Sequence, residues 1–101
     1  MRRQPIDGGG WFDLESATHY EESQHHDGHN YISNATGDQW EHEALYRTRR
    51  GVYVLHAWSQ WQGSVPSWTQ ITVEQATEWL VRMGYEPDTA AERKAADAAE
   101  V

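Results

Sequence analysis

The clearest alternation of apolar and polar positions runs from Glu43 to Trp58 and predicts a β-hairpin. The three residues 49–51 (Arg-Arg-Gly) separate its two halves and suit a type I turn followed by a glycine in the left-handed conformation. This turn pairs Thr48 with Val52 and each preceding residue with one equally far beyond the turn. Apolar pairs then fall on both faces. An isolated hairpin is only marginally stable, so other parts of the chain must cover it.

A second clear pattern, at 73–83, predicts an amphipathic helix. Thr72 and Gln75 have the spacing of a capping box, in which each side chain binds the backbone of the other residue. Gly84 suits the left-handed residue that ends a helix. The helix is predicted to cover one hairpin face, with Trp79 as its main anchor. The apolar positions that share this helix face are Val73, Ala76, Trp79, Leu80 and Met83.

Weaker patterns complete the prediction. Residues 15–22 suit a short N-terminal helix with Ser16 as its N-cap, and residues 69–71 suit a third strand. Residues 1–10 contain three consecutive glycines and are predicted to form a flexible leader. Residues 87–101 form an Ala-rich charged tail with little to bury, so a frayed or solvated helix is expected there.

The expected fold is therefore α+β: a small antiparallel sheet centred on the 43–58 hairpin, packed by the 73–83 helix and the short N-terminal helix, in one compact domain over 11–86.

The amino-acid composition changes which residues are expected to form the core. Leu, Ile, Val and Phe supply only 14 of the 101 residues, a share typical of disordered chains. Six Trp and five Tyr compensate, because each buried ring removes about 150–250 Å² from water. The core is expected to be aromatic.

The formal net charge of −8 is unevenly distributed. Between Trp11 and Glu43 there are eight acidic residues and no Lys or Arg. This stretch predicts a negative face that binds a protein with a basic surface; the alternative is internal pairing with the arginines. Direct non-specific binding of nucleic acid is not expected, because it requires clustered Lys and Arg. The acidic residues expected to contact the partner are Glu21, Glu22, Asp27, Asp38 and Glu41.

The loop over 58–68 is a second candidate contact surface. Trp58, Trp61 and Trp68 alternate there with Ser and Gln, a composition similar to that of interface hot spots. Three such rings within eleven residues are difficult to bury in a small domain, so at least one is expected to be exposed. The alternative is that the loop packs on the hairpin.

The hairpin turn carries a candidate anion-binding group formed by Arg47, Arg49 and Arg50. A guanidinium binds phosphate or carboxylate through two parallel hydrogen bonds, which makes Arg suited to this role. The alternative is a solubilising turn in which Arg47 stacks on Tyr53.

The histidine-rich segment over 25–29 is the candidate metal site. His25, His26 and His29 are the potential ligands, because histidines three or four residues apart can converge on one ion. The segment contains a glycine and has loop composition, so solvent-exposed histidines are the alternative. No other cofactor is expected.

The sequence does not predict an enzyme. His42 and Glu43 lie across the hairpin from His56 and could form an acid–base pair, but no nucleophile or phosphate-binding motif accompanies them. The absence of cysteine excludes disulfides and thiolate chemistry.

No segment approaches the roughly 20 apolar residues that span a bilayer, and no apolar run follows the first charged residues, so a cytoplasmic protein without membrane partners is expected.

Two motifs resemble those of a group of small accessory proteins from bacteria, phages and plasmids. The pattern LYRT-x-x-G-x-[WY]-x-L is present at 45–55, and an A-x-x-WL helix motif is present at 76–80. The likeness extends over about 11–85 and is lost in the histidine-rich loop and the Ala-rich tail. It implies a shared fold more than a shared activity.

Members of this group occur in accessory regions of mobile elements, where small acidic proteins often antagonise host defences that bind DNA. The resemblance thus implies a non-enzymatic, acidic protein-binding module of a mobile genetic element. Such a module would be a candidate inhibitor of a host nucleic-acid-handling defence complex, of the anti-CRISPR or anti-restriction type. Two alternatives remain open: a metal-binding protein or metal-dependent enzyme that uses His25–His29, and a small homodimeric structural protein.

Overall fold

The protein is described by a computed structural model that covers all 101 residues. Eight short strands precede two helices, and the α+β class is confirmed. The strands pair antiparallel in three sheets, of order β3-β6-β7-β8, β1-β2 and β4-β5. The elements are β1 (Arg3–Pro5), β2 (Trp11–Asp13), β3 (Thr18–Glu21), β4 (Gln24–His26), β5 (Tyr31–Ser33), β6 (Glu41–Arg47), β7 (Tyr53–Ser59), β8 (Ser67–Ile71), α1 (Val73–Arg82) and α2 (Ala90–Ala99).

The central hairpin, β6 and β7, has the predicted register, with Leu45 opposite Leu55. The backbone N–H of Thr48 donates to the carbonyl of Val52 at 2.8 Å, and that of Gly51 donates to the carbonyl of Thr48 at 2.9 Å. Gly51 has a φ of +82°, which is the left-handed conformation that the turn requires. Local chemistry therefore determines the register of the longest strand pair.

Helix α1 and its caps are also confirmed. Thr72 and Gln75 form the capping box. At the other end Gly84 has a φ of +90°, and the N–H of Tyr85 donates to the carbonyl of Leu80 at 2.9 Å, which completes a Schellman motif. The helix packs on one face of the sheet. The buried core at this contact consists of Leu45, Tyr53, Ala76, Trp79, Leu80 and Met83.

The predicted N-terminal helix over 15–22 is wrong. Residues Thr18–Glu21 form β3, which pairs with β6 and places Tyr20 opposite Leu45. Ser16 is not an N-cap; its hydroxyl donates to the carbonyl of Asp13 at 3.4 Å. Pairing with β6 satisfies backbone groups along an otherwise open edge and packs Tyr20 against the core. Tertiary context of this kind overrides a weak local helix preference.

The small β1-β2 sheet covers the part of the opposite sheet face around Tyr46 and Trp68. The ring of Phe12 is buried there, at centroid distances of 5.6 Å from Tyr46 and 5.9 Å from Trp68. The predicted flexible leader contributes β1 to this sheet. Asp7 makes two hydrogen bonds with the backbone of Trp68. The N–H of Asp7 donates to the carbonyl of Trp68 at 2.8 Å, and the N–H of Trp68 donates to the carboxylate of Asp7 at 2.9 Å. The glycine-rich composition of residues 1–10 does not predict these hydrogen bonds.

The C-terminal tail forms α2, which begins at Ala90 after the N-cap Thr89. A frayed or solvated helix is predicted there, and most of its residues are indeed exposed. It nevertheless packs along α1 and buries Glu92 completely. The prediction considered only apolar burial, whereas the buried side chain is a carboxylate with several donors. Neither ten-residue helix is long or apolar enough to cross a membrane.

Candidate functional site

Two tryptophans that are distant in sequence form an exposed aromatic pair. The ring centroids of Trp40 and Trp61 are 5.3 Å apart, and the two residues are 39% and 60% exposed. Val65, in the same loop as Trp61, is 87% exposed. We call Trp40, Trp61 and Val65 the tryptophan patch. Trp61 and Val65 border a shallow cavity of about 310 Å³ together with Glu41 and Trp58.

The loop after β7 is held in shape by short-range hydrogen bonds. The N–H of Trp61 donates to the hydroxyl of Ser59 at 3.1 Å, and the hydroxyl of Ser64 donates to the carbonyl of Trp61 at 2.8 Å. The N–H of Gln60 donates to the carbonyl of Trp40 at 2.9 Å, which extends the β6-β7 pairing by one step. One backbone hydrogen bond and two that involve serine hydroxyls therefore fix the chain segments that carry the two exposed rings.

The other two tryptophans of the predicted loop surface are half-buried. Trp68 stacks on His56, with centroids 3.7 Å apart and planes inclined by 7°. Trp58 lies against His56 at 4.8 Å and against His42 at 5.6 Å. The expectation of at least one exposed ring is confirmed by Trp61. Trp40 was missed, although continuing the predicted register would have placed it beside the loop.

The acidic residues expected to contact a partner do not form one surface. Glu41 is exposed at the start of β6 and borders the cavity beside the tryptophan patch. Glu21 is exposed in β3. Asp38 is half-buried and accepts from the N–H of Trp40 at 2.8 Å. Asp27 occupies the turn between β4 and β5, where hydrogen bonds from the backbone of residues 30 and 29 lower the pKa of its carboxyl.

Glu22 is part of the interior and is not available for a partner. Its nearly buried carboxylate accepts from the hydroxyl of Ser33 at 2.6 Å and the N–H of Glu43 at 2.8 Å, and lies 2.6 Å from Nδ1 of His42. Burial raises the pKa of Glu22, but these hydrogen bonds outweigh it and hold the pKa below its ordinary value. The sequence predicts a surface position for Glu22 only because this residue belongs to the stretch of eight acids without Lys or Arg, and nothing local distinguishes it from the others.

The suggested acid–base pair of the hairpin is not formed. His42 binds Glu22, while the carboxylate of Glu43 accepts from the indole N–H of Trp79 at 3.0 Å. Trp58 contacts the rings of both His42 and His56. Burial, with a smaller contribution from His19, lowers the pKa of His56.

The three arginines of the hairpin turn are divided. Arg47 is directed inward: its Nη1 donates to the hydroxyl of Tyr20 at 2.9 Å and to the carboxylates of Asp88 and Glu92 at 2.8 Å each. Its guanidinium lies over the ring of Tyr20 at 5.8 Å, and not over Tyr53. Burial alone would lower the pKa of Arg47, but the two carboxylates raise it above its ordinary value. The carboxylate-binding role predicted for Arg47 is thus taken by acids of the same chain. The remaining turn arginines, Arg49 and Arg50, are exposed.

The histidine-rich segment does not bring metal ligands together. His25 and His26 are consecutive residues of β4, so their side chains leave opposite faces of the strand. His25 hydrogen-bonds Asn34, and His26 packs edge-on against Tyr31 at 5.0 Å. His29 lies in the following turn. No group of three or more His, Asp or Glu side chains in the molecule converges as a metal site.

No protein-family model, curated protein or solved structure matches the chain. The tryptophan patch and the cavity beside it are therefore the features of this molecule that indicate a function.

Proposed function

We propose that the chain is a non-enzymatic, cytoplasmic protein-binding module that contacts its partner through the tryptophan patch. The observation that carries this proposal is the exposed pair Trp40–Trp61, with Val65 beside it. Large apolar side chains are scarce in this chain, yet three of them are exposed side by side here instead of being buried in the core. Such a cluster lowers solubility unless a partner covers it. Exposed apolar clusters of this kind mark interaction sites, and tryptophan is enriched among residues that dominate binding energy.

The proposed partner has a basic surface. Glu41 borders the cavity next to Trp61, and the net charge of −8 favours association with positively charged proteins. A tryptophan face next to a carboxylate suits an arginine side chain, which can stack on the ring while it pairs with the acid.

Proteins that handle nucleic acids carry basic surfaces of the required kind. This charge match, together with the resemblance to accessory proteins of mobile elements, supports a more specific form of the proposal. In that form the chain belongs to a mobile genetic element and inhibits a host nucleic-acid-handling defence complex, as anti-CRISPR and anti-restriction proteins do.

The test is a quantitative pull-down from a host lysate with three proteins: the wild type, the double variant W40S/W61S and the control W11S. Trp11 is 48% exposed in β2, outside the tryptophan patch, so W11S removes a comparable exposed ring. We expect W11S to retain the partners of the wild type and W40S/W61S to retain at least about tenfold less of them. Equal retention by the double variant would contradict the proposal.

Self-association is measured in the same series. Light scattering that shows a wild-type dimer, and a monomer for W40S/W61S, would mean that the patch binds a second copy of the chain. A monomeric wild type at high concentration leaves a different protein as the partner.

A further inference from the structure

Another cavity, of about 460 Å³, lies where the turn of the central hairpin meets the glycine-rich loop between β1 and β2. Its volume is typical of sites for small molecules. It shares no residue with the tryptophan patch, so a ligand bound there is independent of the proposed function. The lining residues that determine its chemistry are Gly9, Gly10, Trp11, Asp13, Arg49 and Arg50.

The positive charge of this cavity comes from the two outer arginines of the hairpin turn. Arg49 and Arg50 are exposed and form no ion pair, although the chain contains 16 acidic residues and only 8 Lys or Arg. Arg47, in contrast, is paired with Asp88 and Glu92. The guanidiniums of Arg49 and Arg50 are therefore free to bind an anion, and their planar forks match the oxygens of a phosphate group.

The cavity also contains one carboxylate, which disfavours a bare anion as its ligand. Asp13 accepts from the backbone N–H of Arg2 at 2.9 Å and from that of Glu15 at 3.1 Å. These hydrogen bonds, above all the one from Arg2, outweigh desolvation and lower the pKa of Asp13, so its carboxyl is ionised at neutral pH. An ionised carboxylate accepts from hydroxyl groups, as acidic residues do from the ribose of bound nucleotides. A ligand that carries hydroxyl groups beside its phosphate therefore fits better than phosphate alone.

An aromatic ring and a wall without side chains complete the cavity. Trp11 is 48% exposed, and the guanidinium of Arg3 lies 4.9 Å from the centroid of its ring. The exposed part of this indole offers a surface on which a planar ring can stack. Gly9 and Gly10 have φ values of +122° and +87°, and a Cβ added to either would meet no atom within 4 Å. The backbone there is open to close approach by a ligand.

We propose that this cavity binds a nucleoside monophosphate, whose phosphate pairs with Arg49 and Arg50 and whose base stacks on Trp11. The carboxylate of Asp13 then accepts from the ribose hydroxyls. A nucleotide is favoured over other anions because it combines a phosphate, hydroxyl donors and a planar ring. Stacking tolerates any base, since each base has a π face. The site differs from a surface for nucleic-acid polymers, which requires many more cations than this chain of net charge −8 presents.

The test follows the ¹H–¹⁵N spectrum of the intact protein during titration with AMP at constant ionic strength. AMP should shift the indole N–H resonance of Trp11 in a saturable manner and leave that of Trp61 unchanged. Adenosine lacks the phosphate and inorganic phosphate lacks the base, so each should bind at least about tenfold more weakly than AMP. A Trp11 resonance that does not respond to AMP would overturn the proposal. Adenosine or phosphate binding as tightly as AMP would overturn the nucleotide assignment.

Two double variants with the same change in charge test the role of the hairpin turn. R49Q/R50Q removes the two guanidiniums of the cavity, whereas R93Q/K94Q removes two positive charges from exposed positions on α2. We expect R49Q/R50Q to weaken AMP binding at least about tenfold, and R93Q/K94Q to weaken it less than about twofold. Far-UV circular dichroism checks that both variants remain folded. Equal weakening by the two variants would mean that overall charge attracts AMP, and would overturn the assignment of the phosphate to this cavity.

Discussion

Arg47 and Glu92 form an ion pair that joins the central hairpin to the last helix. Nη1 of Arg47 donates to Oε2 of Glu92 at 2.8 Å, although the residues are 45 positions apart and the carboxylate is completely buried. Glu92 also accepts from the hydroxyl of Tyr53, and from the N–H of Asp88 at 3.2 Å. A buried charge is tolerated only when its hydrogen bonds are satisfied in this way. The charged tail is therefore part of the folded domain.

Replacing Glu92 should destabilise the protein substantially. In E92Q the negative charge is lost, and an NH2 group replaces one of the two carboxylate oxygens, so it meets either Arg47 and Tyr53 or the N–H of Asp88 donor to donor. We expect the free energy of unfolding to fall by about 2–4 kcal/mol, as measured by urea denaturation. D97N is the control, because Asp97 is exposed on the same helix and its change should cost less than about 0.5 kcal/mol. A wild-type denaturation midpoint for E92Q would contradict the stabilising role of the pair.

The contribution of Glu92 should also depend on pH. Burial raises its pKa, but hydrogen bonds from Tyr53, the Asp88 backbone and Arg47 outweigh this and lower the pKa from 4.5 to about 2. A depressed pKa in the folded state means that the stabilisation is complete above the unfolded pKa and is lost as pH falls toward the folded one. The stability difference between wild type and E92Q should thus shrink between about pH 5 and pH 2. A difference that stays constant over this interval would show that the charge is not responsible.

The C-cap of α1 gives a prediction about backbone conformation. Gly84 has a φ of +90°, and a Cβ added there would meet no atom within 4 Å. G84A should therefore cost about 1–2 kcal/mol from conformation alone, measured by thermal or urea unfolding. G84N is the matched comparison and should cost less, because asparagine enters the left-handed region more readily. Equal costs for both variants would point to packing instead of conformation.

The parts of the fold that were predictable from sequence are those set by local chemistry. Gly51 determines the turn and hence the register of β6 and β7, and Thr72 with Gly84 defines the ends of α1. These signals lie within a few residues of the structure that they specify. The exposure of Trp61 followed similarly from the crowding of rings in one loop.

The missed features depend on contacts between distant segments. Residues 15–22 have a weak helix pattern, but the open edge of β6 recruits them as a strand. Glu22 and Glu92 look like surface acids in sequence, and only tertiary structure shows that the first binds His42 and the second Arg47. Charge counting could not distinguish these buried carboxylates from exposed ones such as Glu21. As a result the extent of the acidic surface is overestimated from the sequence.

The same substitution at two tryptophans should separate stability from binding. Trp79 is buried in the core, and its indole N–H donates to the carboxylate of Glu43 at 3.0 Å. W79F removes that donor and part of the buried ring, so it should lower the free energy of unfolding by about 2–3 kcal/mol. W61F changes an exposed ring and should cost less than about 0.5 kcal/mol. Far-UV circular dichroism in urea provides the comparison, because it does not depend on tryptophan emission. If W61F were as destabilising as W79F, the patch would belong to the core and the proposed contact surface would lose its support.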